Sequence, residues 1–92
     1  MAANKQLSYA DAIVNFGLTL KGVERNCWFQ DFVVVAEGFY KRNKAFTLAD
    51  FLQASDYRGV PENQTLKMWR HFAVKMKDAG RLEKDGNTYR LI

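Results

Sequence analysis

The sequence has one cysteine, one histidine and one proline, and no apolar run long enough to span a bilayer. Each shortage removes a class of protein. A lone cysteine, Cys27, cannot close an intramolecular disulfide, and the start of the chain lacks the positive region, apolar run and small-residue cleavage site of a secretory leader. A reducing compartment is expected, the cytoplasm, or the nucleus in a eukaryotic host. The longest apolar stretch, Phe32 to Ala36, falls far short of the roughly 20 residues that cross a membrane, and no lipidation signal is present. The expectation is a soluble protein with no membrane partner. His71 and Cys27 lie on different predicted elements, so the chain lacks a nucleophile, a base and an orienting group arranged as a set. Histidines and cysteines at zinc spacing, a glycine-rich phosphate loop after a strand and a ladder of acids for two-metal chemistry are missing as well. Neither catalysis nor a metal or cofactor is expected.

What is present reads as one small globular domain over residues 1–92, because 92 residues leave no room for a second core. A hydrophobic fraction of 48%, with 14% aromatic residues, is ample to offset the ordering entropy of the chain. Flexibility is expected only over residues 1–7. The formal net charge of +4 decides little by itself, but its placement is uneven. Between Asn63 and Arg81 stand Lys67, Arg70, Lys75, Lys77 and Arg81 against a single acid, Asp78. That one segment carries as much excess charge as the whole chain.

The elements follow from periodicity and punctuation. Ser8, with Asp11 three residues on, resembles a capping-box start, and Ile13, Val14, Phe16, Gly17 and Leu20 recur at helical spacing, which predicts a first helix within residues 8–22. In "CWFQDFVVVAEGFYKRNK", Trp28, Phe32, Val35, Ala36 and Phe39 repeat at three and four with Gln30, Glu37 and Lys41 opposite, which fits a helix better than a strand. Lys41, Arg42 and Lys44 suit its negative dipole end. An extended pair, Ala45 and Phe46, then precedes Thr47 as N-cap with Asp50 three residues later, opening a short helix that buries Leu48, Phe51 and Leu52. "DYRGV" is a turn. Pro61 fits the first position of the next helix and Gly80 the position just past its end, bracketing a helix from about Pro61 to Ala79. On a helical wheel Leu66, Trp69, Phe72, Ala73 and Met76 form its core side, while Asn63, Gln64, Lys67, Arg70, His71, Val74 and Lys75 fall on or near the other. The tail "RLEKDGNTYRLI" alternates around Asp85-Gly86 and reads as a β-hairpin that must lie against the helices.

The expected fold class is thus mainly α with a C-terminal β-hairpin. The order of elements, carried by "FTLADFLQAS", "TLKMWRHFAVKMKDAGRLEK" and "DGNTYRLI", resembles the winged helix-turn-helix superfamily over about Trp28 to Ile92, with the helix of residues 8–22 as an N-terminal addition. The resemblance implies non-catalytic binding of double-stranded DNA, as a transcriptional regulator or an accessory DNA-processing factor, with the helix from Pro61 to Ala79 in the major groove. Asn63, Gln64 and Arg70 would then hydrogen-bond base edges, and Lys67, Lys75, Arg81 and Lys84 would pair with phosphates. His71 would contact either a phosphate or a base. The alternative is a protein-binding adaptor or inhibitor, viral or carried by a mobile element, because such scaffolds also serve as docking modules and fold alone does not fix function. Phe29, Val33, Val34 and Tyr40 widen the apolar surface of the second helix; part of it is expected to meet the first helix, and part a second subunit or protein partner.

Overall fold

The structure, a computed structural model, describes residues 6–92. The flexibility expected of residues 1–5 lies outside the described residues. Gln6 and Leu7, the last of that expected stretch, are tied down: the Leu7 amide donates to Ala79 O (3.3 Å) and Gln6 Nε2 to Gly80 O (3.0 Å). The described chain is mainly helical, with a small antiparallel sheet of three strands.

The first helix, α1 (Tyr9–Leu18), starts where sequence chemistry places it, with the Ser8 hydroxyl accepting from the Asp11 amide at 3.0 Å. It ends before Gly22, as expected. Thr19 donates its hydroxyl to Phe16 O at 2.7 Å, and the chain passes through Gly22, at φ 59°, into a π-helical segment, Glu24–Trp28. That segment runs on into α2 (Phe29–Lys41), so the second helical rod begins upstream of Trp28. Phe32, Val35, Ala36 and Phe39 of α2 are buried, as their spacing predicts. Asn43, at φ 50°, terminates α2 in a Schellman motif: its amide reaches Tyr40 O and the Lys44 amide reaches Phe39 O.

A short strand, β1 (Phe46–Thr47), leads into α3 (Leu48–Tyr57), where the expected capping box is complete. The Thr47 hydroxyl accepts from the Asp50 amide (3.1 Å), and Asp50 Oδ2 accepts from the Thr47 amide (2.9 Å). Of the three α3 residues expected inside, Phe51 is buried while Leu48 and Leu52 are half-buried. The basic helix is α4 (Glu62–Asp78), with Pro61 at the N-cap position rather than inside the first turn. Two strands follow, β2 (Leu82–Asp85) and β3 (Thr88–Leu91), joined by Gly86 and Asn87. Positive φ at Gly86 but not at Asn87 is the type II′ arrangement, which matches the twist of the strands.

The hairpin is extended into a sheet of order β1-β3-β2, with Phe46 opposite Tyr89, Thr47 opposite Thr88 and Leu82 opposite Leu91. Pairing β1 with β3 brings the entry to α3 against the end of the chain. One continuous aromatic cluster joins the elements. Phe72 of α4 meets Phe16 of α1 (5.2 Å between centroids) and Phe32 of α2 (5.1 Å), while Trp69 meets Tyr89 of β3 (5.1 Å) and Phe51 of α3 (5.2 Å). Tyr9 stacks on Tyr40 at 3.8 Å, and burial, with smaller contributions from Glu37 and Tyr40, holds its phenol above the ordinary range.

The junction of α4 with the hairpin is a second Schellman motif. Gly80, at φ 74°, sends its amide to Lys77 O, and the Arg81 amide returns to Met76 O. Arg81 then ties Leu7 to Ile92: Nε donates to Leu7 O (2.7 Å) and Nη1 to Ile92 O (3.1 Å). Gly80→Ala forces a Cβ into left-handed backbone and sets it 3.1 Å from Gln6 Cγ, so a loss of about 1–2 kcal/mol is expected in urea denaturation. An unchanged midpoint would contradict this account of the junction.

Candidate functional site

The charged face of α4 is set by which residues the core takes. Thr65, Met68, Trp69, Phe72 and Met76 are buried, whereas Leu66 and Ala73, expected inside, are only half-buried. The buried stripe is thus rotated by roughly 50° from the expected one, at 100° per residue. α1 packs against α4, with Phe16 meeting Phe72, a tertiary contact that the periodicity of α4 does not reveal.

The rotation redistributes the sequence-derived candidates. Asn63, Lys67, Arg70, Val74 and Lys77 run along the exposed ridge at alternating spacings of four and three. Val74, at 56% exposure, is an aliphatic side chain in the middle of this cationic row. His71 is exposed on one flank, while Gln64 and Lys75 on the same side are half-buried. Gln64 Oε1 is buried and has no hydrogen-bond partner. Arg81 differs from the others, because its guanidinium already holds the Leu7 and Ile92 carbonyls and is committed to joining those two segments. Lys84 stands exposed on β2 with Nζ 5.8 Å from the Tyr89 ring centroid.

Two grooves border the ridge. On the hairpin side, Ala73, Val74, Lys77, Leu82, Lys84 and Tyr89 line a space of about 530 Å³. On the other side, Lys67, Arg70 and His71 face Thr19, Leu20, Lys21 and Glu24 across about 460 Å³. The structure therefore groups Lys67, Arg70 and His71 at one groove and Lys84 at the other. Lys77 joins Lys84 although it was not among the sequence-derived candidates; its position seven residues after Arg70 signals it once the phase of α4 is known. Lys21 sits in a loop and carries no periodic signal.

The electrostatic state of the ridge follows from its partners. Among the described residues two ion pairs form, Lys41 with Glu37 (3.7 Å) and Arg58 with Asp31 (3.1 Å), and neither involves α4 or the hairpin. No carboxylate oxygen comes within 4.0 Å of the Lys67, Arg70, Lys75, Lys77 or Lys84 nitrogens. Lys67, Arg70, Lys77 and Lys84 face solvent and Lys75 is half-covered, all without local neutralisation, so their charges add. Among the described residues no three His, Cys, Asp or Glu side chains converge as a metal site would require, and no helix is long and apolar enough to cross a membrane. The chain matches no protein-family model, no curated protein and no solved structure.

Proposed function

We propose that the protein is a winged helix-turn-helix domain that binds double-stranded DNA without catalysis or cofactor, as a transcriptional regulator or accessory DNA-processing factor. The order helix, strand, helix, helix, hairpin, with sheet order β1-β3-β2, supports this fold reading. The observation that carries the function is the uncapped row of Lys67, Arg70 and Lys77 on α4, extended by Lys84 on β2. A helix face with exposed, unpaired cations pairs with phosphates and releases their counterions. Asn63 and Arg70, exposed on the same ridge, have the donors and acceptors to read adenine and guanine edges. Gln64 and Lys75 take lesser parts because they are half-covered, and Arg81 takes none.

Titration of a fluorescent random-sequence duplex at two salt concentrations tests the reading. Four phosphate contacts, at Lys67, Arg70, Lys77 and Lys84, correspond to a slope of log K on log salt of about −3.6, and to a roughly 150-fold loss of affinity between 50 and 200 mM salt. No binding at 50 mM would overturn it. A second reading, docking onto another protein or a second copy through the N-terminal helices, draws support from Val14 (58% exposed) and Leu18 (62%), one turn apart on α1. Absence of duplex binding together with a dimer mass in solution would favour that reading.

A further inference from the structure

We propose that the segment joining α1 to the π-helical turn is itself part of the DNA surface, with Lys21 binding a backbone phosphate at the groove it shares with α4. This rests on the DNA-binding reading and assigns the added N-terminal helix a role in it beyond packing.

Three observations carry the inference. The groove lined by Thr19, Leu20, Lys21, Glu24, Lys67, Arg70 and His71 brings cations from two separate parts of the chain to one space of about 460 Å³. With His71 neutral, its formal charge is three cations against the single Glu24 carboxylate, and Glu24 forms no ion pair with any of them. An excess of positive charge held close together favours an anion, and a duplex phosphate is the anion that α4 already brings to Lys67 and Arg70.

The second observation is that Lys21 is fixed in place while its side chain is exposed. Leu20, immediately before it, is 3% exposed and belongs to the core, with its amide donating to Gly17 O at 3.1 Å. Thr19 is locked by its hydroxyl bond to Phe16 O, and Gly22 turns the chain at positive φ. A cation on an anchored loop loses less freedom on binding than one on a free tail.

The third is placement. The hairpin supplies Lys84 on one side of the α4 ridge and this loop supplies Lys21 on the other. A helix seated in a groove runs between two phosphate backbones, and cations on both flanks can contact both strands.

The experiment compares duplex titrations over 50–200 mM salt for the wild-type protein, Lys21→Ala, Lys21→Arg and the control Lys41→Ala, whose lysine pairs with Glu37 on α2. With Lys21 as a fifth contact the wild-type slope becomes about −4.5, and Lys21→Ala makes it shallower by about 0.9, with a roughly fifteen-fold loss of affinity at 50 mM. Lys21→Arg retains both values and Lys41→Ala matches wild type. If the wild-type protein binds and Lys21→Ala binds equally well with the same slope, this inference fails and the α4 reading stands. An equal loss in Lys41→Ala reduces the effect to net charge and also overturns it. If the wild-type protein does not bind at 50 mM, the α4 reading fails and the inference goes with it. Because Lys21 is exposed, all four proteins are expected to melt together.

Discussion

Phe72→Ala is expected to cost about 3–5 kcal/mol, the range for removing a buried phenylalanine side chain. The whole stability of a domain this size is about 5–15 kcal/mol, so the substitution removes a large share of it. The expected fall in Tm, at roughly 4–8 °C for each kcal/mol, is at least about 12 °C. The site is severe because Phe72 is fully buried and its ring is where α4 meets three other helices: Phe16 at 5.2 Å, Phe32 at 5.1 Å and Phe51 at 6.2 Å. A void there has apolar walls contributed by separate elements, and those walls cannot all collapse inward together. Leu66→Ala serves as the internal comparison. Leu66 is half-buried and stands outside the core cluster, so its loss should be at or below about 1 kcal/mol. Urea denaturation followed by far-ultraviolet circular dichroism reads both. Equal losses at the two positions would show that the core of α4 is centred nearer Leu66 than the structure places it.

That comparison isolates what local sequence rules can and cannot provide. Ends of elements were legible because single residues set them: Ser8 and Thr47 cap helices with their hydroxyls, and Gly80 and Gly86 adopt the positive φ that their turns require. Helix α2 was legible because its buried residues keep a clean three-four spacing. The phase of α4 was read too far toward Leu66, because hydrophobicity ranks leucine above threonine. Thr65 is nevertheless buried, because tertiary packing decides which face of α4 is covered, and local sequence does not encode that packing. The π-helical segment left no periodic trace, whereas the extended pair expected at Ala45 and Phe46 is found one residue later, as β1. Pairing of β1 with β3 is a tertiary contact between chain segments more than forty residues apart.

The candidate site was legible in its charge and less so in its membership. Net charge between Asn63 and Arg81 singled out α4 as the cationic helix, yet charge does not distinguish a free cation from one committed to structure. Arg81 binds two backbone carbonyls, whereas Lys77 faces the hairpin groove beside Lys84. Lys21 reaches the opposite groove, beside Lys67 and Arg70, only because α1 packs against α4.

Replacing Lys67 and Arg70 together by alanine should produce the largest functional change. Both lie on the exposed ridge, three residues apart, and both line the groove toward Lys21. Loss of two phosphate contacts makes the salt slope shallower by about 1.8, which corresponds to roughly 200-fold weaker binding at 50 mM salt and roughly 20-fold at 200 mM. The dependence on salt separates this from misfolding, which would reduce the active fraction by the same factor at every salt concentration. Neither side chain makes an ion pair or a hydrogen bond within the described structure, and surface positions of this kind rarely change stability by more than about 0.5 kcal/mol, so the double variant should melt with the wild type. Arg70 differs from Lys67 in one further respect. If its guanidinium reads a guanine edge, Arg70→Lys keeps the charge and the slope yet loses about 1–3 kcal/mol of discrimination between a selected duplex and a random one. Double-variant affinity equal to wild type at 50 mM would remove α4 from the binding surface, and with it the reason for orienting a duplex on this face at all.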